Sequence, residues 1–157
     1  MKETKTMIEM KVENIVLDPK SNMPIVVLKN RTNGKSLPIG IGIFEASAIA
    51  LKLDGVNSPR PLTHDLLKSI IEKLNAKVSK IYINGLKDNT FYAKILLEVA
   101  RRKLNIDCRP SDAIALALRT NSPIFVEEKI IADAIDKEDL KFLLGSLKRE
   151  DFGKYKM

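Results

Sequence analysis

An internal repeat restricts the fold of this chain more than any other feature of its sequence. The blocks "AIALKL" (48–53) and "AIALAL" (113–118) start 65 residues apart, and "NSP" follows each, at 57–59 and 121–123. Ahead of each block lies an alternating segment, Ile39, Ile41, Ile43 in one case and Leu104, Ile106, Cys108 in the other. Further back, "KVENIVL" (11–17) parallels "KVSKIYI" (77–83). Four features shared in the same order point to one supersecondary unit used twice, a hairpin, a third strand and a helix. The units cover about 7–59 and 73–123. A chain of 157 residues accommodates both in one core.

Local pattern fills in the units. Strands are expected over 6–17, 24–29 and 36–43, the last with Gly40 and Gly42 on one face, where a ligand or another backbone can come close. Asn33-Gly34 suits a tight hairpin turn. "FEASAIALKLDG" has helical spacing and stops at Gly55. Thr63 is the expected cap of a linking helix over 64–75, whose Leu66, Leu67, Ile70, Ile71 and Leu74 mark an apolar face. Strands follow over 76–84 and 90–99, joined through "GLKDN", with a short one in "LNIDC". "SDAIALALRTN" is a helix capped by Ser111, 123–127 a strand and 136–148 a last helix. The fold class is therefore α+β with a mixed or antiparallel sheet. The expected single domain spans 1–148, before a charged tail over 149–157.

Composition removes several chemistries. One histidine, His64, excludes a two-histidine hydrolase within one chain. One cysteine, Cys108, excludes an internal disulfide and a zinc site built on cysteine pairs, and reads as a small buried hydrophobe. No P-loop, GxGxxG or GxSxG pattern occurs. "MKETKTMIEM" has no apolar h-region and no apolar run reaches membrane-spanning length, so the expected setting is reducing and cytoplasmic, away from membranes. Twenty-seven basic against 20 acidic side chains give +7, which allows a nucleic-acid partner but by itself fits a lysine-rich solvated surface better.

What remains is carboxylates, arginines and one imidazole. "RPLTHD" (60–65) and "RPSD" (109–112) both read Arg-Pro, a hydroxyl residue, then Asp ahead of an apolar helix. Free N–H groups and the dipole draw anions to a helix start, and an upstream arginine adds a planar fork matched to phosphate. This makes His64, Asp65, Arg109 and Asp112 the catalytic candidates, with His64 as proton carrier. Glu45, Asp65 and Asp112 are the carboxylates suited to Mg²⁺ or Mn²⁺. Arg60, Arg101, Arg102 and Lys103 are candidate nucleic-acid contacts, the last three forming a basic patch with Arg109. The bland reading stays open at each position: Ser111 and Thr63 cap helices, Arg109 pairs with Asp112, and the basic run is a solvated hairpin end.

"LPIGIGIFEASAIALKLDGV", "PRPLTHDLLKSII", "LKDNTFYAKI" and "DCRPSDAIALALRTNSPIFVEE", in that order, resemble the bifunctional nuclease domain family across roughly residues 8–130. The resemblance implies a compact α+β domain and a homo-oligomer, with a dimer favoured. It also implies the ability of some members to degrade both DNA and RNA. The expected function is a phosphodiesterase of low sequence selectivity. The alternative is a non-catalytic module that docks a nucleotide, a small anion or a partner protein between the repeats.

Overall fold

The computed structural model describes residues 5–134. The expected helix over 136–148 and the tail over 149–157 lie outside the described residues. Along the chain run β1 (Met7–Leu17), β2 (Pro24–Lys29), β3 (Ser36–Gly40), α1 (Ile43–Leu53), α2 (Thr63–Lys73), β4 (Ala76–Lys87), β5 (Thr90–Val99), β6 (Arg102–Cys108), α3 (Pro110–Thr120), β7 (Ile124–Glu127) and α4 (Glu128–Ala134). The strands form one seven-stranded mixed sheet in the order β3-β2-β1-β7-β4-β5-β6. Among the described residues, no helix is long and apolar enough to cross a membrane.

The repeat is visible in that order. Each half is an antiparallel meander, β1-β2-β3 and β4-β5-β6, and each meander ends in a helix, α1 or α3. Strand β7 joins the halves, antiparallel to β1 and parallel to β4. Strand β1 serves two partners: Met7–Met10 pair with β7 and Lys11–Leu17 with β2, with a register shift between Val12 and Asn14. Glu13 is the extra residue there, and such a bulge bends a strand from one neighbour toward the next.

Helix α3 is the centre of the core. Ala113, Ile114, Ala115, Leu116 and Ala117 are all buried, and the helix lies against α1, α2, β4 and β5. Three alanines on one short helix keep it thin enough to fit between those neighbours. Helix α4, which the sequence pattern did not announce, adds the buried Ile130 and Ile131.

Several local expectations need correction. Strand β3 ends at Gly40, because the chain turns at Ile41–Gly42 and α1 already begins at Ile43. Asn33-Gly34 does not form a tight hairpin. It lies in the longer connection over 30–35, where the Asn30 carboxamide oxygen accepts the N–H groups of Thr32 and Asn33, each at 2.9 Å. The tight turn is Asp88–Asn89, with φ of 52° and 61°, the left-handed pair that matches strand twist. Thr63 and Ser111 are not caps: Leu62 and Arg109 hold those positions. Of the apolar face of α2, Ile71 packs against the core and the rest stays outside it. Leu66, Leu67, Ile70 and Leu74 are exposed, Ile71 is half-buried, and the buried residue of this helix is His64.

Candidate active site

The first turns of α1, α2 and α3 meet around one guanidinium. Arg109 ends the extended chain after β6, and Pro110 opens α3 where its missing N–H costs nothing. From that position Arg109 donates Nε–H to Asp112 Oδ2 and an Nη2–H to Asp112 Oδ1, both at 2.9 Å. An Nη1–H goes across to Glu45 Oε1 of α1 at 2.8 Å. Asp112 also faces α2, with His64 Nε2 3.3 Å from its Oδ1. The row Glu45–Arg109–Asp112–His64 thus draws one residue from α1, two from α3 and one from α2.

Exposure divides the row. The Arg109 side chain is 62% exposed and the His64 side chain 11%. Arg109 borders a cleft of about 270 Å³ together with Ile39–Gly42, Glu45, Asn89–Phe91 and Ser111. Gly42, the N-cap of α1, lies directly beneath the Glu45 carboxylate, in space that a Cβ would fill.

Both carboxylates titrate below their ordinary values. Glu45 is lowered first by its own backbone N–H and then by Arg109. At Asp112 burial opposes ionisation, and the hydrogen bonds of Arg109, then of His64, outweigh it. Arg109 is held protonated, by Asp112 most of all. Two carboxylates and one guanidinium leave the row at −1 with a neutral imidazole and at zero with a charged one. An incoming phosphate therefore meets directed donors rather than net positive charge. A guanidinium carries five N–H donors. The three bonds to Asp112 and Glu45 leave one on each terminal nitrogen.

The other candidates lie elsewhere. Asp65 is not in the row, because its carboxylate is already committed. Oδ1 accepts Nε–H of Arg119 at 2.8 Å and Oδ2 accepts the Leu62 N–H at 2.9 Å. Arg101, Arg102 and Lys103 are exposed at the start of β6, while Arg109 follows its end. At about 3.3 Å per residue that is roughly 20 Å, so they form no patch with Arg109. Arg60 is exposed on the connection between α1 and α2.

The metal candidates do not assemble. Arg109 fills the space between Glu45 and Asp112, and Asp65 faces Arg119. Among the described residues no three His, Cys, Asp or Glu side chains are placed to hold a metal ion. As arranged, these residues do not fit Mg²⁺ or Mn²⁺.

Two contributors escaped the sequence reading, the Asn89–Phe91 wall of the cleft and Arg119, while Gly42, expected on a strand face open to close approach, instead lies at the start of α1 under Glu45. The available signal for Arg119 was a lone cation in the otherwise apolar run "AIALALRT". Cys108 is half-buried, and burial above all raises its thiol to about 11, so it is no nucleophile at neutral pH.

The model of the bifunctional nuclease domain matches residues 26–138, most of the chain and all of this row. The chain belongs to the bifunctional nuclease domain family. Within it, an uncharacterized protein of Mycobacterium tuberculosis (strain H37Rv) is 40% identical over 126 residues, covering 80% of this chain and 75% of that protein. Bifunctional nuclease 1 of Oryza sativa subsp. japonica is 28% identical over 110 residues, covering 67% of this chain and 33% of that protein. Bifunctional nuclease 1 of Arabidopsis thaliana is 27% identical over 110 residues, covering 67% of this chain and 34% of that protein. The alignment thus spans about a third of each plant relative, and family membership rests on the shared domain.

Proposed function

We propose that this chain hydrolyses phosphodiester bonds in DNA and RNA, with little sequence selectivity, at the Glu45–Arg109–Asp112–His64 row. One observation carries the reading: in a bifunctional nuclease domain, three helix starts converge on one exposed arginine at the mouth of a cleft. The two unengaged N–H donors of Arg109 bind the phosphoryl oxygens and stabilise the charge that grows on them in the transition state. Asp112 accepts Nε2–H of His64, which leaves the lone pair on Nδ1. Nδ1 takes a proton from the attacking water as its oxygen bonds to phosphorus. The P–O bond to the leaving group breaks, and the imidazolium returns the proton to the departing oxygen. Glu45 holds the far side of Arg109 and keeps its fork aligned. Arg60, Arg101, Arg102 and Lys103 contact the polymer backbone beyond the scissile phosphate.

A binding module is the second reading, and one observation favours it. Arg109 is already neutralised by two carboxylates, an arrangement that a docking site tolerates and a strong phosphate trap does not. Turnover separates the two. Wild type, Asp112→Ala and Arg109→Ala are to be assayed on labelled single-stranded RNA and DNA, each with Mg²⁺, Mn²⁺ or EDTA. Cleavage by wild type, reduced at least about a hundredfold in both variants, is the expected result. Equal cleavage by all three sinks the catalytic reading, and saturable binding without cleavage installs the second. The EDTA arm decides whether a divalent ion takes part.

The chain also self-associates in this reading, through α2. Leu62, Leu66, Ile70 and Leu74 recur every fourth residue and are all exposed, which is how one helix presents an apolar stripe to another.

A further inference from the structure

Helix α3 carries an arginine at each end, and the two are treated in opposite ways. Arg109 is open to solvent, whereas the Arg119 side chain is 4% exposed. Arg119 donates an Nη1–H to Ala115 O and an Nη2–H to Ala48 O, both at 3.0 Å, and Nε–H to Asp65 Oδ1 at 2.8 Å. One buried side chain therefore joins α1, α2 and α3. A buried cation demands such partners, and removing one strands the other. Asp65 meanwhile caps α2 through the Leu62 N–H at 2.9 Å. The same carboxylate that starts α2 also fixes it to α3.

Apolar packing holds that helix along one line, where the half-buried Ile71 meets the core and the helix lies against α3 and β4. Its other apolar residues, Leu66, Leu67, Ile70 and Leu74, face outward, and its buried residue is His64. His64 precedes Asp65 in the same first turn, so where Asp65 is anchored decides where the imidazole lies. From this arrangement we infer that the Arg119–Asp65 pair is a positioning device, which holds His64 Nε2 against Asp112 without touching the substrate. The inference assigns Asp65 a role outside the reacting atoms. Its catalytic consequence rests on the nuclease reading, but its structural content does not.

The test uses the full chain labelled with ¹⁵N-histidine. With one histidine in the sequence, its ring signals report His64 alone. Asp65→Asn is nearly isosteric, but an amide has one acceptor where the carboxylate serves two donors, so either Leu62 or Arg119 loses its partner. Arg119→Lys keeps the charge and loses the planar fork. Asp112→Asn marks the signal of an imidazole deprived of its carboxylate. Lys73→Gln, exposed in the last turn of α2, is the control. In Asp65→Asn and Arg119→Lys the Nε2 resonance is expected to move most of the way toward its position in Asp112→Asn, while Lys73→Gln stays at wild type. In the cleavage assay Asp65→Asn lowers kcat about tenfold or more with KM little changed, because the imidazole is misplaced rather than removed. A folded Asp65→Asn chain with a wild-type His64 signal overturns the inference, even if Arg119→Lys fails to fold. A wild-type kcat in that variant overturns it as well. If wild type cleaves nothing, the nuclease reading falls and the resonance result still decides the positioning.

Discussion

Gly42 is the residue on which the Glu45 end of the row depends. The Glu45 carboxylate lies against its Cα, where a Cβ would collide, and that carboxylate holds Nη1 of Arg109 at 2.8 Å. Gly42→Ala must push Glu45 aside and loosen the arginine fork. The expected outcome is a fall in kcat/KM of about tenfold, since small misplacements at a reacting centre are costly. If Gly42→Ala cleaves as wild type does, Glu45 has no part in aligning Arg109. Cys108 gives an independent check on the same region. Burial, then Asp112 and Asp107, raise its thiol to about 11, so it carries about a hundredfold less thiolate at neutral pH than an ordinary cysteine. Iodoacetamide should label it at least about tenfold more slowly than free cysteine, and labelling at the free rate would contradict the burial described for it. The pairing of Arg109 with Asp112 was legible because it lies within one motif at i, i+3 spacing. The role of Arg119 was not, because helical spacing places a residue on a face and says nothing of which other helix offers it a carbonyl or a carboxylate.

The elements themselves were mostly legible, and each miss has a physical cause. The meander order and the helices after β3 and β6 follow from apolar period and from the repeat. Helix α4 was missed because β7 runs from Glu127 directly into it at Glu128, with no cap residue and no turn between. The attachment of α2 was misread because period shows only that a face is apolar, not what covers it. Its docking through Asp65 makes this element sensitive to acid. Burial opposes the ionised form of Asp65, and the Leu62 N–H and Arg119 outweigh burial, so its carboxyl stands below 3.8 in the folded chain. The folded state then binds fewer protons than the unfolded one. The stabilisation is complete above that ordinary value and is lost as pH falls through the lower native one. Thermal melts between about pH 6 and pH 2 should show wild type more stable than Asp65→Asn near neutrality, with the gap closing toward the acid end. Parallel curves over that range would remove Asp65 as a source of acid sensitivity.

At the scale of the whole molecule, the outward face of α2 is the surface on which the proposed self-association rests. Leu66 is 53% exposed, Ile70 47% and Leu74 68%, a contiguous stripe of the kind that monomeric surfaces rarely keep. The stripe is self-complementary. Two α2 helices laid antiparallel and centred on Ile70 bring Leu66 of one against Leu74 of the other. A closed twofold contact needs this reciprocity, because one patch must fit itself. The same contact would press α2 onto α3 and β4, so the proposed association would couple to the placing of His64 through one helix. Ile70→Glu puts like charges at the centre of the pair. It should convert the wild-type assembly to monomer in sedimentation or light scattering, while leaving the core untouched, since Ile70 contributes little to it. Cleavage by that monomer should fall as α2 loosens, and an Asp65→Asn change added to it should cost less than it does alone, because both act on the same helix. If wild type sediments as a monomer, the stripe serves another purpose. If Ile70→Glu remains an oligomer, the copies meet elsewhere, and the row at Arg109 then acts independently of their contact.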